Sequence, residues 1–174
     1  MNIFFYRSFS ALTFMKVFFC GLGATLVMDF LNKVGALLGW VYRMDLNFLG
    51  CVFNGWINGV YEFKTPAELL ASGGTKLQGM VGHYLIGVFF AILLFIVSRI
   101  FLLNKREVAA AALVLGLSAA VFSLIIIFPS TGLGIYGWKG GVGLFGTSLY
   151  NHLAYGFGLA IFFHFTHLVD VNKS

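Results

Sequence analysis

The sequence predicts an all-α integral membrane protein: four transmembrane helices in one domain, with interfacial helices in the first loop. Three observations carry that expectation. Residues 108–128 hold no charged side chain, and at ~1.5 Å of rise per residue they make about 32 Å of helix, enough to cross a bilayer core. Charged residues are 10% of the chain and hydrophobic ones 60%. A soluble domain carries about 25% charged residues, so this chain has too few to cover a water-facing surface. Finally, its 174 residues include 22 glycines, and glycine is commoner in membrane helices than in soluble ones.

The first predicted crossing covers residues 11–31. Lys16 interrupts it near one end, where its long stem can snorkel to the headgroups, and Asp29 stands near the other. No small-x-small processing site follows a short apolar core, so the segment reads as a retained crossing rather than a cleaved signal. Residues 32–76 form the one long connection. Trp40, Tyr42, Phe48, Phe53, Trp56 and Tyr61 mix there with Asn, Gly and a few charges, the composition of a membrane–water boundary. A structureless loop of that length is improbable, which predicts one or two short helices on the membrane or dipping into the bundle. Thr65 is placed to cap a short helix with Pro66 at its first position and Glu68 three residues after the cap; Ser72, Gly73 and Gly74 end it.

The second crossing spans residues 77–102 and closes at Arg99 and the Asn104-Lys105-Arg106-Glu107 turn. The third is 108–128, whose Ser118 and Ser123 can bond back to their own helix. Pro129 to Gly132 terminates it, and a glycine-rich connection follows to Gly146. The fourth covers 147–169, ahead of a polar tail. Four crossings place both termini on one side, and the basic residues around the short Arg99–Arg106 turn put that side in the cytoplasm by the positive-inside rule. The net charge of +5 is dispersed between crossings. It therefore suits orientation and anionic lipid, not nucleic acid. Cys20 and Cys51 form neither a disulfide nor a zinc pattern.

Alternating helix direction brings Asp29, His83, the Ser130-Thr131 turn, Asn151 and His152 to the same membrane side. Thr25, Gly79, Gly87, Ser148 and Gly156 lie at helical spacing beside them, and polar groups backed by small residues usually face neighbouring helices. Such a cluster suits several chemistries. It could be a hydrogen-bonded layer fixing helix register. It could bind a proton or ion in transport, hold a metal through Asp29, His83 and His152, or do acid–base work on a lipid or small molecule with Ser130–Gly134 orienting the substrate. Residues and spacing leave these open, name no cofactor, and do not decide whether the protein is an enzyme. His164 and His167 form a second pair whose spacing gives only a weak zinc signal.

Two literal G-x-G-x-x-G matches begin at Gly132 and Gly141, but each is flanked by membrane helices instead of a strand–helix unit, so neither reads as a dinucleotide site. Exposed amides in that turn could instead receive a phosphate headgroup. Small-residue ridges at Ala112, Gly116 and Ala120, and at Gly156 with Ala160, permit close packing within the bundle or between subunits.

The stretches GLGATLVMD (21–29), VGHYLIGVFFAILL (81–94), FPSTGLGI (128–135) and SLYNHLAYGFGLAIF (148–162), in that order, resemble the uncharacterised bacterial inner-membrane family known as domain of unknown function 2938. The resemblance covers most of the chain and falls on Asp29, His83, Tyr84, Pro129, Gly132, His152 and Gly156. Where that family often has a glycine-arginine pair in the first loop, this chain has Gly50 and Cys51. The resemblance implies four crossings in the inner membrane and supplies no activity, substrate or cofactor. The expected function is thus a small multi-pass membrane protein, an oligomer or a subunit of a larger assembly among membrane lipids, handling an ion, proton or small hydrophobic molecule. The alternative is a membrane-embedded enzyme using the Asp/His cluster.

Overall fold

Each helix up to and including the third long one begins on a side chain that satisfies the first free amides. The computed structural model describes residues 10–166 and 168. Helix α1, Ala11–Leu37, is capped by Ser10, whose hydroxyl accepts from the Thr13 amide. The first connection carries α2, Leu46–Ile57, capped by Asp45, and the short α3, Pro66–Leu70, capped by Thr65 as the sequence predicts. Helix α4, Lys76–Ile100, starts with a reciprocal Thr75–Gln78 capping box, and α5, Lys105–Phe122, with an Asn104–Glu107 box. The second of these boxes lets the chain turn from α4 into α5 in very few residues.

The α5 run continues through a wider, π-helical turn, Ser123–Ile127, into a last turn, Phe128–Ser130. Pro129 has no amide to donate and its ring crowds the preceding turn, and the wider turn absorbs both effects. A compact 3₁₀ segment, Ile135–Gly140, then leads into α6, Val142–Phe165.

Three helices are long and apolar enough to cross a membrane: Ala11–Leu37, Lys76–Ile100 and Lys105–Ser130. The chain is thus a multi-pass, all-α membrane protein, and the expected fourth crossing is corrected. Helix α6 has the length, but Thr147, Ser148, Asn151 and His152 crowd its first half and it falls short in apolar character. It packs instead between α1 and α5. Its buried positions include Thr147, Ser148, Asn151, Tyr155, Gly156, Leu159 and Phe163. A helix whose polar groups find partners inside the bundle has no need of an all-round apolar surface. The boundaries also shift: α1 runs past residue 31 to Leu37, and the α5 run starts at Lys105 and includes Pro129.

Packing is close because the small residues are used within the chain. A Cβ on Gly21 would stand 2.6 Å from the Val88 Cα, one on Gly156 2.7 Å from the Ala112 carbonyl, and one on Gly158 2.9 Å from the Ala24 Cα. The small-residue ridges at Gly116 and Gly156 are thus used within the bundle. Cys20, Ala24, Ala91, Leu94, Ala112, Leu159 and Phe163 form the dry centre. Large apolar side chains such as Phe19, Leu26 and Phe30 on α1, Phe89 on α4 and Val114 on α5 point outward, as a surface bathed in lipid tails requires. A satellite core of Cys51, Val52, Phe63 and Leu69 holds the first connection together. It packs α2 on the start of α4, where Phe53 covers Gly82, and the Phe63 amide donates to the Ser130 carbonyl at 2.8 Å.

Candidate functional site

Helices α1 and α4 run antiparallel and come closest where Gly21 meets Gly87 and Val88. Two turns further along α1, and one turn back along α4, that approach brings Asp29 to His83 and Tyr84. The His83 Nε2 lies 2.8 Å from Asp29 Oδ1, and the Tyr84 hydroxyl donates to Asp29 Oδ2 at 2.9 Å. Consecutive positions on a helix diverge by about 100°, so the two rings grip the carboxylate from separate sides; they stand edge to face, 5.6 Å between centroids. The His83 side chain is 10% exposed and that of Asp29 26%, so the carboxylate has an open side. A carboxylate in a membrane span is costly unless paired, and here both oxygens have partners.

The other predicted members do different work. The His152 Nδ1 is 2.7 Å from the Ser148 carbonyl, which can only accept, so Nδ1 carries a proton; burial favours the uncharged ring, whose lone pair is then on Nε2. His152 is close enough to His83 for the two rings to interact electrostatically, but no hydrogen bond joins it to Asp29 among the described residues. Asn151 turns away to accept from Asn32 Nδ2 at 2.9 Å. The Ser130 and Thr131 hydroxyls donate to the Ile127 and Phe128 carbonyls of their own turn. The seven candidates thus divide. Asp29, His83 and Tyr84 form one cluster with His152 beside it; Asn151 belongs to a structural clamp; Ser130 and Thr131 are spent locally.

That clamp contains residues that sequence reasoning missed. Asn32, 3% exposed, donates to the Tyr42 carbonyl at 3.0 Å as well as to Asn151, and accepts from the Met44 amide at 3.0 Å. Thr147 accepts from the Tyr42 amide at 2.8 Å, and the Tyr150 hydroxyl donates to the Leu31 carbonyl at 3.1 Å. Ending the first crossing at residue 31 had placed Asn32 in a loop. The available signal was its position three residues after Asp29, on nearly the same helix face. Tyr155 was missed as well; its hydroxyl donates to the Gly87 carbonyl and ties α6 to the close approach of α1 and α4.

The metal alternative finds no support, since no three His, Cys, Asp or Glu side chains gather to hold an ion among the described residues. In the glycine-rich turn, the amides of Gly132, Gly137 and Gly141 donate to backbone carbonyls of the same segment. Of the second histidine pair, His164 lies in the last turn of α6 and His167 lies outside the described residues.

No curated protein and no solved structure matches the chain. The family described as "Protein of unknown function (DUF2938)" matches residues 18–164, a span that takes in the whole cluster and its clamp. The chain therefore belongs to the DUF2938 family.

Proposed function

We propose that this protein binds and releases a proton at Asp29, in company with His83 and Tyr84, and links that proton to the handling of an ion or small hydrophobic molecule in the membrane. The observation that carries the reading is the Asp29 carboxylate, held by two protonatable groups at 2.8 and 2.9 Å yet open on one side. Imidazole and carboxylate at hydrogen-bond distance can pass one proton between them near neutral pH. In this reading His152, with its Nε2 lone pair, offers a next acceptor. The open side of Asp29 also supports assembly, because a charge on the flank of a span is unfavourable against lipid tails and is better covered by a second copy or another membrane subunit. The short Arg99–Arg106 turn supports a cytoplasmic placement of the α4–α5 end of the bundle in a bacterial inner membrane.

An enzymatic role through the same pair has less behind it. A serine or threonine nucleophile would have to stand beside a histidine base, and Ser130 and Thr131 are bonded to their own turn.

The test is proton flux across vesicles holding the reconstituted full-length chain and an internal pH dye. The wild type is expected to dissipate an imposed pH gradient, Asp29→Asn to abolish that flux while eluting as a folded protein, and His83→Gln to reduce it. Flux by Asp29→Asn equal to wild type, or no flux by either above empty vesicles, would overturn the proposal. Native mass spectrometry from mild detergent reads the assembly, and a monomer with no co-purifying subunit refutes that part.

A further inference from the structure

Where α1 ends, the connection folds back on it and leaves an open groove of about 570 Å³, lined by Lys33, Leu37, Trp40, Tyr42, Arg43 and Gly143 among others. Two of these are cations. No carboxylate stands within ion-pair distance of Lys33 or Arg43 among the described residues. The nearest acid in sequence, Asp45, is committed to capping α2 through the Asn47 and Phe48 amides. The last carbonyls of α1 would repel an anion if bare, but those of Val34, Gly35 and Ala36 are covered by the amides of Leu38, Trp40 and Gly39.

The groove is also built rather than merely left over. The Tyr42 amide and carbonyl are fixed to Thr147 and Asn32, and its ring lies so close over Gly143 that a Cβ there would stand 2.6 Å from the Tyr42 Cε2. One wall is therefore rigid. The other is apolar and open, with Leu37 81% and Trp40 69% exposed at the end of a span. Cations beside exposed aromatic and aliphatic side chains at that level match a ligand with a phosphate at one end and acyl chains at the other.

We infer that this groove binds the headgroup of an anionic phospholipid, with Lys33 and Arg43 on the phosphate and the acyl chains lying along Leu37 and Trp40. The chemistry shared with a soluble ion is the phosphate; the apolar flank is what selects the lipid.

The full-length chain is reconstituted in phosphatidylcholine nanodiscs containing a minority of phosphatidylglycerol, and lipid retained on release into detergent is measured by native mass spectrometry. Wild type is expected to retain phosphatidylglycerol in preference to phosphatidylcholine. At about 1 kcal/mol per basic residue near a membrane surface, Lys33→Gln/Arg43→Gln lowers that preference by about 30-fold, whereas Arg106→Gln/Lys139→Gln leaves it unchanged. Both replaced residues of the test pair are exposed, so the variant keeps its fold. Gly143→Val, which displaces the Tyr42 ring with all charge intact, also lowers retention. Equal retention of the two lipids, or no effect of Lys33→Gln/Arg43→Gln, overturns the site. Displacement of the lipid by millimolar inorganic phosphate as readily as by soluble phosphatidylglycerol overturns the lipid assignment in favour of a free anion.

Discussion

The distance between α1 and α4 sets the geometry of the Asp29 cluster, and Gly87 is where that distance is most easily changed. A methyl at Gly87 would overlap the Thr25 Oγ1, with the Gly21 carbonyl and Thr25 Cβ each at 3.4 Å. The Thr25 hydroxyl cannot swing away freely, since it is fully buried and donates to the Gly21 carbonyl at 2.9 Å. Overpacking of this kind costs about 1–3 kcal/mol; the better helix propensity of alanine returns about 0.5–1 kcal/mol. Gly87→Ala should therefore lose about 1–2 kcal/mol, and should lose the proton flux of the Asp29 site because His83 lies one turn away on the displaced helix. Thr25→Ala removes the overlapping oxygen and leaves only the ordinary contact at 3.4 Å. Its own cost is a hydrogen bond inside one helix, about 0.5 kcal/mol in a membrane bundle. The double variant Thr25→Ala/Gly87→Ala should thus be more stable than Gly87→Ala alone, and should recover flux. Unfolding in mixed detergent micelles, followed by tryptophan fluorescence, measures all four corners of the cycle. Purely additive losses, or a Gly87→Ala protein as stable as wild type, would refute the close approach.

Two further outcomes follow from the polar side chains. Asn32→Ala deletes three hydrogen bonds and strands the Tyr42 carbonyl and the Met44 amide; at about 1 kcal/mol each it should cost about 3 kcal/mol and raise amide exchange at residues 42–44, and unchanged exchange there would exclude the clamp. Asn104→Ala removes the acceptor for the Arg106 and Glu107 amides at the start of α5. It should cost about 1 kcal/mol in the same unfolding assay without altering proton flux, and a loss of flux would mean that the α4–α5 turn acts on the site directly.

What could be read from the sequence was whatever depends on local pattern. The long apolar runs gave the three spans, Thr65-Pro66-Ala67-Glu68 gave the start of α3, and alternating helix direction placed Asp29 and His83 at one end of the bundle. Their pairing is a packing fact, however. It needs the close approach at Gly21 and Gly87, which no single-helix periodicity encodes. The fourth crossing was overcounted for a related reason. Residues 147–169 look like a span with polar interruptions, and only the structure supplies the partners, Asn32 for Asn151 and the Tyr42 amide for Thr147, that turn the interruptions into interior contacts. Ser130 and Thr131 misled in the opposite direction. Hydroxyls near a helix end bond as readily to their own carbonyls as to a neighbour, and here both do so.

The division of the polar residues bears on which of them does chemistry. Asn32, Asn151, Thr147 and Tyr150 are neutral, and each has a partner in another segment. Such bonds hold α1, α6 and the first connection in register and do not depend on pH in the working range. The ionisable members are arranged differently. Asp29 and His83 are bonded to each other, Tyr84 completes the carboxylate's second oxygen, and Asp29 keeps a quarter of its side chain open. A layer serving register alone would gain nothing from that opening, because a neutral pair such as Asn32 and Asn151 supplies the same constraint at a smaller desolvation cost. The neutral clamp thus fixes the elements on which Asp29 and His83 are mounted, and Asp29 keeps an open side. Removing charge while keeping shape, as Asp29→Asn does, therefore separates function from fold at this site, whereas truncating Asn32 cannot.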